Sequence, residues 1–224
     1  MQLPFTRAEF LDVFGAYNTA LWPSVVILWL LTAGFAIPIV RGSRAHDRAL
    51  SALLAIHWTW SAVAYHAAFF SSINPAAWVF AGLFLLEAAL VASLGIFRTR
   101  LQFSAPHSVR HLLASVLVVY ALAYPFIVQA EGLKFPRAPS FGVPCPTTIF
   151  TIGVLLTARS LPWSVTVIPI LWAAIAGSSA FLLGVRSDLI LFVAAGVLVA
   201  YATASSNRKG IAQGRPIARA HRTI

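Results

Sequence analysis

Charge is scarce in this chain of 224 residues: only 10% are Asp, Glu, Lys or Arg, against roughly 25% in a soluble domain. That shortage excludes an ordinary water-soluble globule. A single cysteine, Cys145, excludes an internal disulfide, and by itself it cannot build a thiolate metal cluster. No P-loop, GxGxxG, CxxC pair or GxSxG elbow occurs, so the common nucleotide, dithiol and serine-hydrolase chemistries find no support, and no reaction is assigned. The last apolar stretch lacks lysine, which disfavours a retinal Schiff base of the microbial-rhodopsin kind. The first twenty residues hold Arg7, Glu9 and Asp12 and lack a basic start followed by an apolar core, so no cleavable leader is expected. Alternating strand patterns are missing as well, which argues against a lipid-facing barrel.

What is present is apolar. Hydrophobic residues make up 59% of the chain, gathered into runs near the ~20 residues that cross a ~30 Å hydrocarbon core as helix. Candidate spans are Trp22–Val40, Ala49–Phe70, Pro75–Phe97, Val109–Gln129, Thr147–Ala158, Trp163–Gly184 and Asp188–Ser205. Lipid admits only helices or closed barrels, so all seven are read as helices. The basic residues set orientation. Arg41, Arg44, Arg48, Arg98, Arg100, Arg110, Arg159, Arg208, Lys209, Arg215, Arg219 and Arg222 fall on one side, and Arg7, Lys134, Arg137 and Arg186 on the other. Twelve of the 16 basic residues on one side is a positive-inside pattern. It places the N-terminus outside and the C-terminus in the cytoplasm, which an odd number of spans requires. The net charge of +10 is read as this orientation signal and not as a nucleic-acid surface.

Three segments depart from a plain bundle. Residues 1–21 form an amphipathic interfacial helix before the transmembrane domain of 22–206. Thr6 and Glu9 have capping-box spacing, Phe5 and Phe10 have staple spacing, and Phe10, Val13, Phe14, Tyr17 and Leu21 recur at helical intervals. Its simpler role is a membrane anchor, and its sharper one a lid over an outer vestibule. Residues 207–224 form a basic cytoplasmic tail, expected to be disordered and to meet anionic lipid headgroups; without aromatic residues to stack on bases it is not a nucleic-acid arm. The fifth span, Thr147–Ala158, is about 12 residues, or roughly 18 Å. A proline-rich stretch, Pro136 to Pro146, precedes it and cannot be continuous helix. Either that stretch is an ordered outer loop, or it dips into the protein to meet a half-helix. The second reading requires a cavity, because bare backbone at membrane depth must be buried in protein or line water.

Polar residues inside spans usually face the bundle interior. Here they are His57, Tyr65 and His66 on span two, Glu87 near the middle of span three, Tyr120 and Tyr124 on span four, and Thr147, Thr148 and Thr151 at the start of span five. Topology places His66, Tyr65, Tyr124, Cys145 and Thr147 in the outer half, where they could share one vestibule with Thr148. Glu87 is either a proton-carrying or cation-binding carboxyl or a structural glutamate, protonated or hydrogen-bonded to a neighbouring tyrosine or histidine. His57 and His66, nine residues apart, fall on opposite faces of a straight helix and cannot hold one metal from it, although each remains a candidate ligand. Cys145 reads as a small buried residue. Thr147 and Thr148 read as caps of the fifth helix, whose end could alternatively bind an anion or carboxylate. Trp22, Trp78 and Trp163 near span ends read as an interface belt.

Several stretches resemble a family of small bacterial multipass membrane proteins known only as a domain of unknown function. They are Phe10-Leu11-Asp12-Val13-Phe14, Tyr17-Asn18, Trp22-Pro23, Tyr65-His66, Phe69-Phe70, Ile73-Asn74-Pro75-Ala76-Ala77, Phe141-Gly142-Val143-Pro144-Cys145-Pro146-Thr147-Thr148-Ile149-Phe150 and Ala180-Phe181-Leu182-Leu183-Gly184-Val185. The proline-cysteine-threonine stretch is the most specific of these. The resemblance implies a bacterial inner-membrane location and brings no activity.

The expectation is therefore an all-α, polytopic membrane protein with seven helices. Its function would be a small transporter or channel with a polar site between helices two, three, four and the short fifth. A membrane-embedded haem- or metal-binding or redox protein using His57 and His66, and an accessory subunit without chemistry, are the alternatives. Cofactor and substrate are not specified by these residues, and homo-oligomerisation stays open.

Overall fold

A computed structural model describes residues 4–43, 46–104 and 108–213. Within them the chain is helical and has no strand; one isolated bridge joins Phe103 to Ala158. The helices are α1 (Arg7–Val40), α2 (Asp47–Trp60), α3 (Ala77–Val91), α4 (Val109–Ala130), α5 (Pro144–Leu156), α6 (Val167–Leu183) and α7 (Ile190–Gln213). α2 runs on as a π-helix over Ser61–Ala67, and α3 does the same over Ala92–Phe97. Five segments are long and apolar enough to cross a membrane: Arg7–Val40, Ala77–Phe97, Val109–Ala130, Trp163–Leu183 and Arg186–Ser205. Their outward faces carry exposed Ile27, Leu30, Leu31, Val79, Leu86, Leu112, Val116, Phe126, Phe181 and Val193. An apolar exterior over several helices is the surface of a membrane-embedded protein, since water would leave so much exposed hydrocarbon unsatisfied. Trp22, Trp78 and Trp163 are exposed on the same exterior.

α5 is the axis of the bundle. All its residues from Pro146 to Leu156 are buried, packed by α4, α7, α6 and α2. Its 13 residues extend about 20 Å, short of the ~30 Å core. A helix enclosed by protein on every side has no need to reach both surfaces. Gly153 allows the closest approach, because a Cβ there would stand 2.9 Å from Val118 and 3.1 Å from the Ala114 carbonyl of α4. Just past the far end of α5, the carbonyls of Thr157 and Ala158 are met by donors from elsewhere in the chain. Ser104 N–H donates to the Thr157 carbonyl (2.9 Å), and Arg110 and Tyr201 both donate to that of Ala158.

The peptide leading into α5 turns inward, as the half-helix reading requires. Ala138, Phe141 and Val143 are buried among α1 and α2. Its carbonyls are satisfied by side chains: Asn18 donates to Pro136 (2.5 Å) and Ala138 (2.8 Å), and Ser61 donates to Gly142 (2.8 Å). Tyr17, which receives the Trp60 indole N–H at 2.7 Å, points its hydroxyl at the Phe141 carbonyl. Gly142 has φ +82°, and a Cβ on it would sit 2.9 Å from Trp60 Nε1. Only glycine meets both conditions.

Three expectations are corrected. No break separates an interfacial helix from span one: α1 is one helix of 34 residues that passes through Pro23 unbroken. The change from amphipathic to wholly apolar composition near Trp22 marks a change of surroundings, not a helix end. α7 continues to Gln213, so 207–213 are helical and not disordered tail; the rest of that tail, 214–224, lies outside the described residues. Thr147 and Thr148 do not cap α5, which starts earlier with Val143 as N-cap and prolines in its first turn. Proline fits there because that turn's N–H groups have no partner inside the helix. The threonine hydroxyls turn elsewhere: Thr148 donates back to the Pro144 carbonyl, and Thr147 lies 3.2 Å from Ser61 Oγ.

Asn18→Leu strands the buried Ala138 carbonyl and takes a donor from the part-buried one of Pro136, and a buried group left unsatisfied costs about 1–3 kcal/mol. A clear loss of Tm in detergent is expected. Asp12→Ala removes only the exposed pair with Arg137 (2.8 Å), worth about 1 kcal/mol at most. Its Tm should stay close to that of the parent.

Candidate functional site

Where α1, α3, α5 and α7 begin and α2, α4 and α6 end, the helices leave a cavity of about 210 Å³. Its roof is the first turns of α1. Thr6 and Glu9 form the capping box, with the Thr6 amide donating to Glu9 (2.7 Å) and the Glu9 amide to Thr6 Oγ1 (3.3 Å). That cap fixes Phe5 against Phe10, ring centroids 5.8 Å apart and stacked, the geometry of a hydrophobic staple. Phe10 meets Phe14 edge-on at 4.9 Å, and Phe14 stacks on Tyr65 at 5.4 Å. Arg7 holds the roof to the opposite rim by donating to the Leu183 carbonyl (2.9 Å). The aromatic side of this segment therefore faces the protein and covers the cavity, the lid arrangement rather than a simple anchor.

The floor is aromatic too. His66 packs on Phe84 at 4.8 Å and on Trp172 at 5.1 Å, and Phe84 and Trp172 meet edge-on at 4.9 Å. His66 lies in the π-helical part of α2, a wide turn that recurs at functional sites. It is fully buried, and neither ring nitrogen has a hydrogen-bond partner; the Trp172 indole N–H has none either. Buried polar groups are nearly always bonded, so these stand out beside the cavity that His66 and Trp172 both line.

The polar wall centres on Asp188, in the turn before α7. Tyr124 donates to its carboxylate at 2.6 Å, and the Cys145 thiol also hydrogen-bonds to it. The protein's own carboxylate thus sits beside the start of α5. Pro144 and Pro146 remove two of the N–H groups that an external anion would need there.

Of the residues singled out from sequence, Tyr65, His66, Tyr124 and Cys145 line the cavity together. Thr147, Thr148, Glu87 and His57 do not. Glu87 lies one turn along α3 from Phe84, beyond the floor; it is fully buried and both carboxyl oxygens are without a partner. The hydrogen-bonded form of a structural glutamate is therefore not found, while a protonated carboxyl fits these apolar surroundings as well as a functional one does. His57 faces α1 and α5 instead, 2.7 Å from Thr32 Oγ1 and edge-on to Phe141. It is as buried as His66, because the π turn between them changes the rotation that a straight α-helix would give. The two histidines still point to different neighbours. Among the described residues no three His, Cys, Asp or Glu side chains converge as a metal would need. Sequence reading missed Asp188 and Trp172. Asp188 passed as the first residue of the last candidate span, although an acid at the head of an apolar run is unusual. Trp172 lies inside its span, away from the interface belt, and that position was its signal.

A model for a family of unknown function (DUF6064) matches residues 7–213. No curated protein and no solved structure matches the chain.

The unpartnered imidazole gives a stability test. Replacing an unbonded polar ring by an apolar one of similar shape is nearly neutral or stabilising. His66→Phe is expected to keep or raise Tm, whereas Tyr124→Phe, which takes a donor from a buried carboxylate, should lose about 1.5–3 kcal/mol. A large loss of Tm in His66→Phe would identify that ring as a structural member of the core.

Proposed function

The chain belongs to DUF6064, a family of unknown function, and from its geometry we propose that it is a small membrane transporter with one binding chamber open toward the N-terminal side. The observation that carries this is the cavity of about 210 Å³ lined by a fully buried His66 whose ring nitrogens are both unpartnered. A site kept polar at a stability cost, inside aromatic walls, is how small-molecule pockets are usually made. Tyr65, His66, Tyr124 and Cys145 remain the substrate-side residues, joined now by Asp188 and Trp172. Thr147 and Thr148 leave that set, since their hydroxyls are turned to Ser61 and to the Pro144 carbonyl.

The floor favours a carrier over an open channel. His66, Phe84 and Trp172 close it by mutual contact, so passage needs a change of packing that parts these rings. Glu87 is next along α3, and in this reading it takes the coupling proton or cation once the floor opens. Intramembrane carboxyls without partners mark such relays. The basic residues gathered at the other end support a cytoplasmic side there, and in this reading the chamber faces outward.

Proteoliposomes loaded with a pH-sensitive dye test the function. Across a panel of small amines, amino acids, carboxylates and sugars, at least one solute should drive proton movement above protein-free vesicles. Glu87→Gln should abolish that movement while binding to the chamber persists. Undiminished flux in Glu87→Gln would remove its coupling role, and silence across the whole panel would end the transport reading. Orientation is checked separately in a Cys145→Ser background: a membrane-impermeant maleimide should label Gln213→Cys in inside-out vesicles and not in right-side-out ones.

A further inference from the structure

We infer that the chamber takes a small organic cation, a protonated or quaternary amine whose other end carries an oxygen. This rests on the chamber being a ligand site, as proposed above, and not on passage across the membrane. Asp188 is the starting point. Its carboxylate is 5% exposed, and the donors that reach it, the Tyr124 hydroxyl and the Cys145 thiol, are neutral. The one salt bridge among the described side chains is Arg137 to Asp12, elsewhere on the molecule. Among the described residues no lysine or arginine lines the cavity. Glu131, whose carboxylate accepts from the Ser187 amide at 3.3 Å, adds negative potential nearby instead of relieving it. Buried charges are paired as a rule. Here the opposite charge is left for whatever enters.

The remaining walls suit such a visitor. Phe10, Phe14, Tyr65, Phe70, Phe80 and Trp172 line the space. Aromatic rings stabilise a cation through their quadrupole while excluding water, and rings gathered round one site are how quaternary ammonium groups are held. An anion would meet the same ring faces and Asp188 with repulsion. At the floor, a neutral imidazole offers one donor and one acceptor, and the Trp172 indole offers one donor. Both are unused within the protein. They match a hydroxyl or carbonyl oxygen at the end of the ligand away from its charge.

Three probes of one shape separate charge from bulk: choline, its uncharged isostere 3,3-dimethylbutan-1-ol, and the anion 3,3-dimethylbutanoate. Calorimetric titration of the full chain in detergent should find choline bound at least about tenfold more tightly than the alcohol, and the anion weakest. Asp188→Asn should erase the preference for choline and leave the alcohol's affinity in place. Phe14→Leu, on the roof, should weaken choline several-fold with Asp188 intact, which guards against an Asp188 variant that does not fold. Equal binding of choline and the alcohol, preference for the anion, no binding of any probe, or a preference that survives Asp188→Asn would each overturn the inference. Choline binding without solute flux would sink the transport reading alone. Flux of a neutral or anionic solute without choline binding would sink the cation alone.

Discussion

Everything in this molecule depends on carbonyl groups that have no helix to bond them. The peptide from Pro136 to Val143 enters the interior as irregular backbone, where unsatisfied carbonyls are expensive. Asn18, Tyr17 and Ser61 supply the donors from two separate helices. Those bonds tie α1 and α2 to the start of α5 and fix where α5 begins. Because α5 begins part-way into the bundle, the space above its first turn is not filled by its own side chains. The chamber follows from that offset, and the π-helical turn of α2 brings Tyr65 and His66 to it.

The site joins two kinds of incompleteness. Its aromatic rings pack on one another, some stacked and some edge to face. Its polar groups are less complete: a carboxylate without a cation, an imidazole and an indole without partners. Natural interiors rarely leave such groups idle, and here they collect round one space instead of scattering through the core. Glu87 shares this property but stands apart, behind the ring contacts of Phe84 and Trp172. In the transport reading proposed above, that separation assigns it to the gate and not to the occupant.

Much of this architecture was legible from residue order. Apolar runs placed α2 to α6 to within a few residues but not the start of α1 or the end of α7, the Thr6–Glu9 spacing announced a real capping box, and the proline stretch announced irregular backbone without deciding between an outer loop and an inward turn. Tyr65, His66 and Tyr124 were visible as polar groups inside apolar runs, and Cys145 just ahead of one. What escaped did so for physical reasons. A π turn has no sequence signature, so the facing of His57 and His66 could not be counted out at 100° per residue. Asp188 looked like a charge at a membrane surface, because only the fold brings Tyr124, 64 positions away, onto it. Helix continuity through Trp22 and Pro23 was hidden by a change of polarity, which reports environment and not backbone.

The unbroken α1 has a mechanical consequence. Its 34 residues span about 51 Å, and its two ends do different jobs: one covers the chamber with Phe10 and Phe14, the other packs Ile39 where its carbonyl meets the His111 ring at 2.8 Å. A stiff rod couples its tips. Lifting the aromatic cover means either rocking the whole lever, which disturbs the contact at the opposite membrane face, or flexing it at Pro23, where the ladder already lacks one N–H. In the proposed transporter, opening on one side would thereby be communicated to the other without any loop having to carry the message.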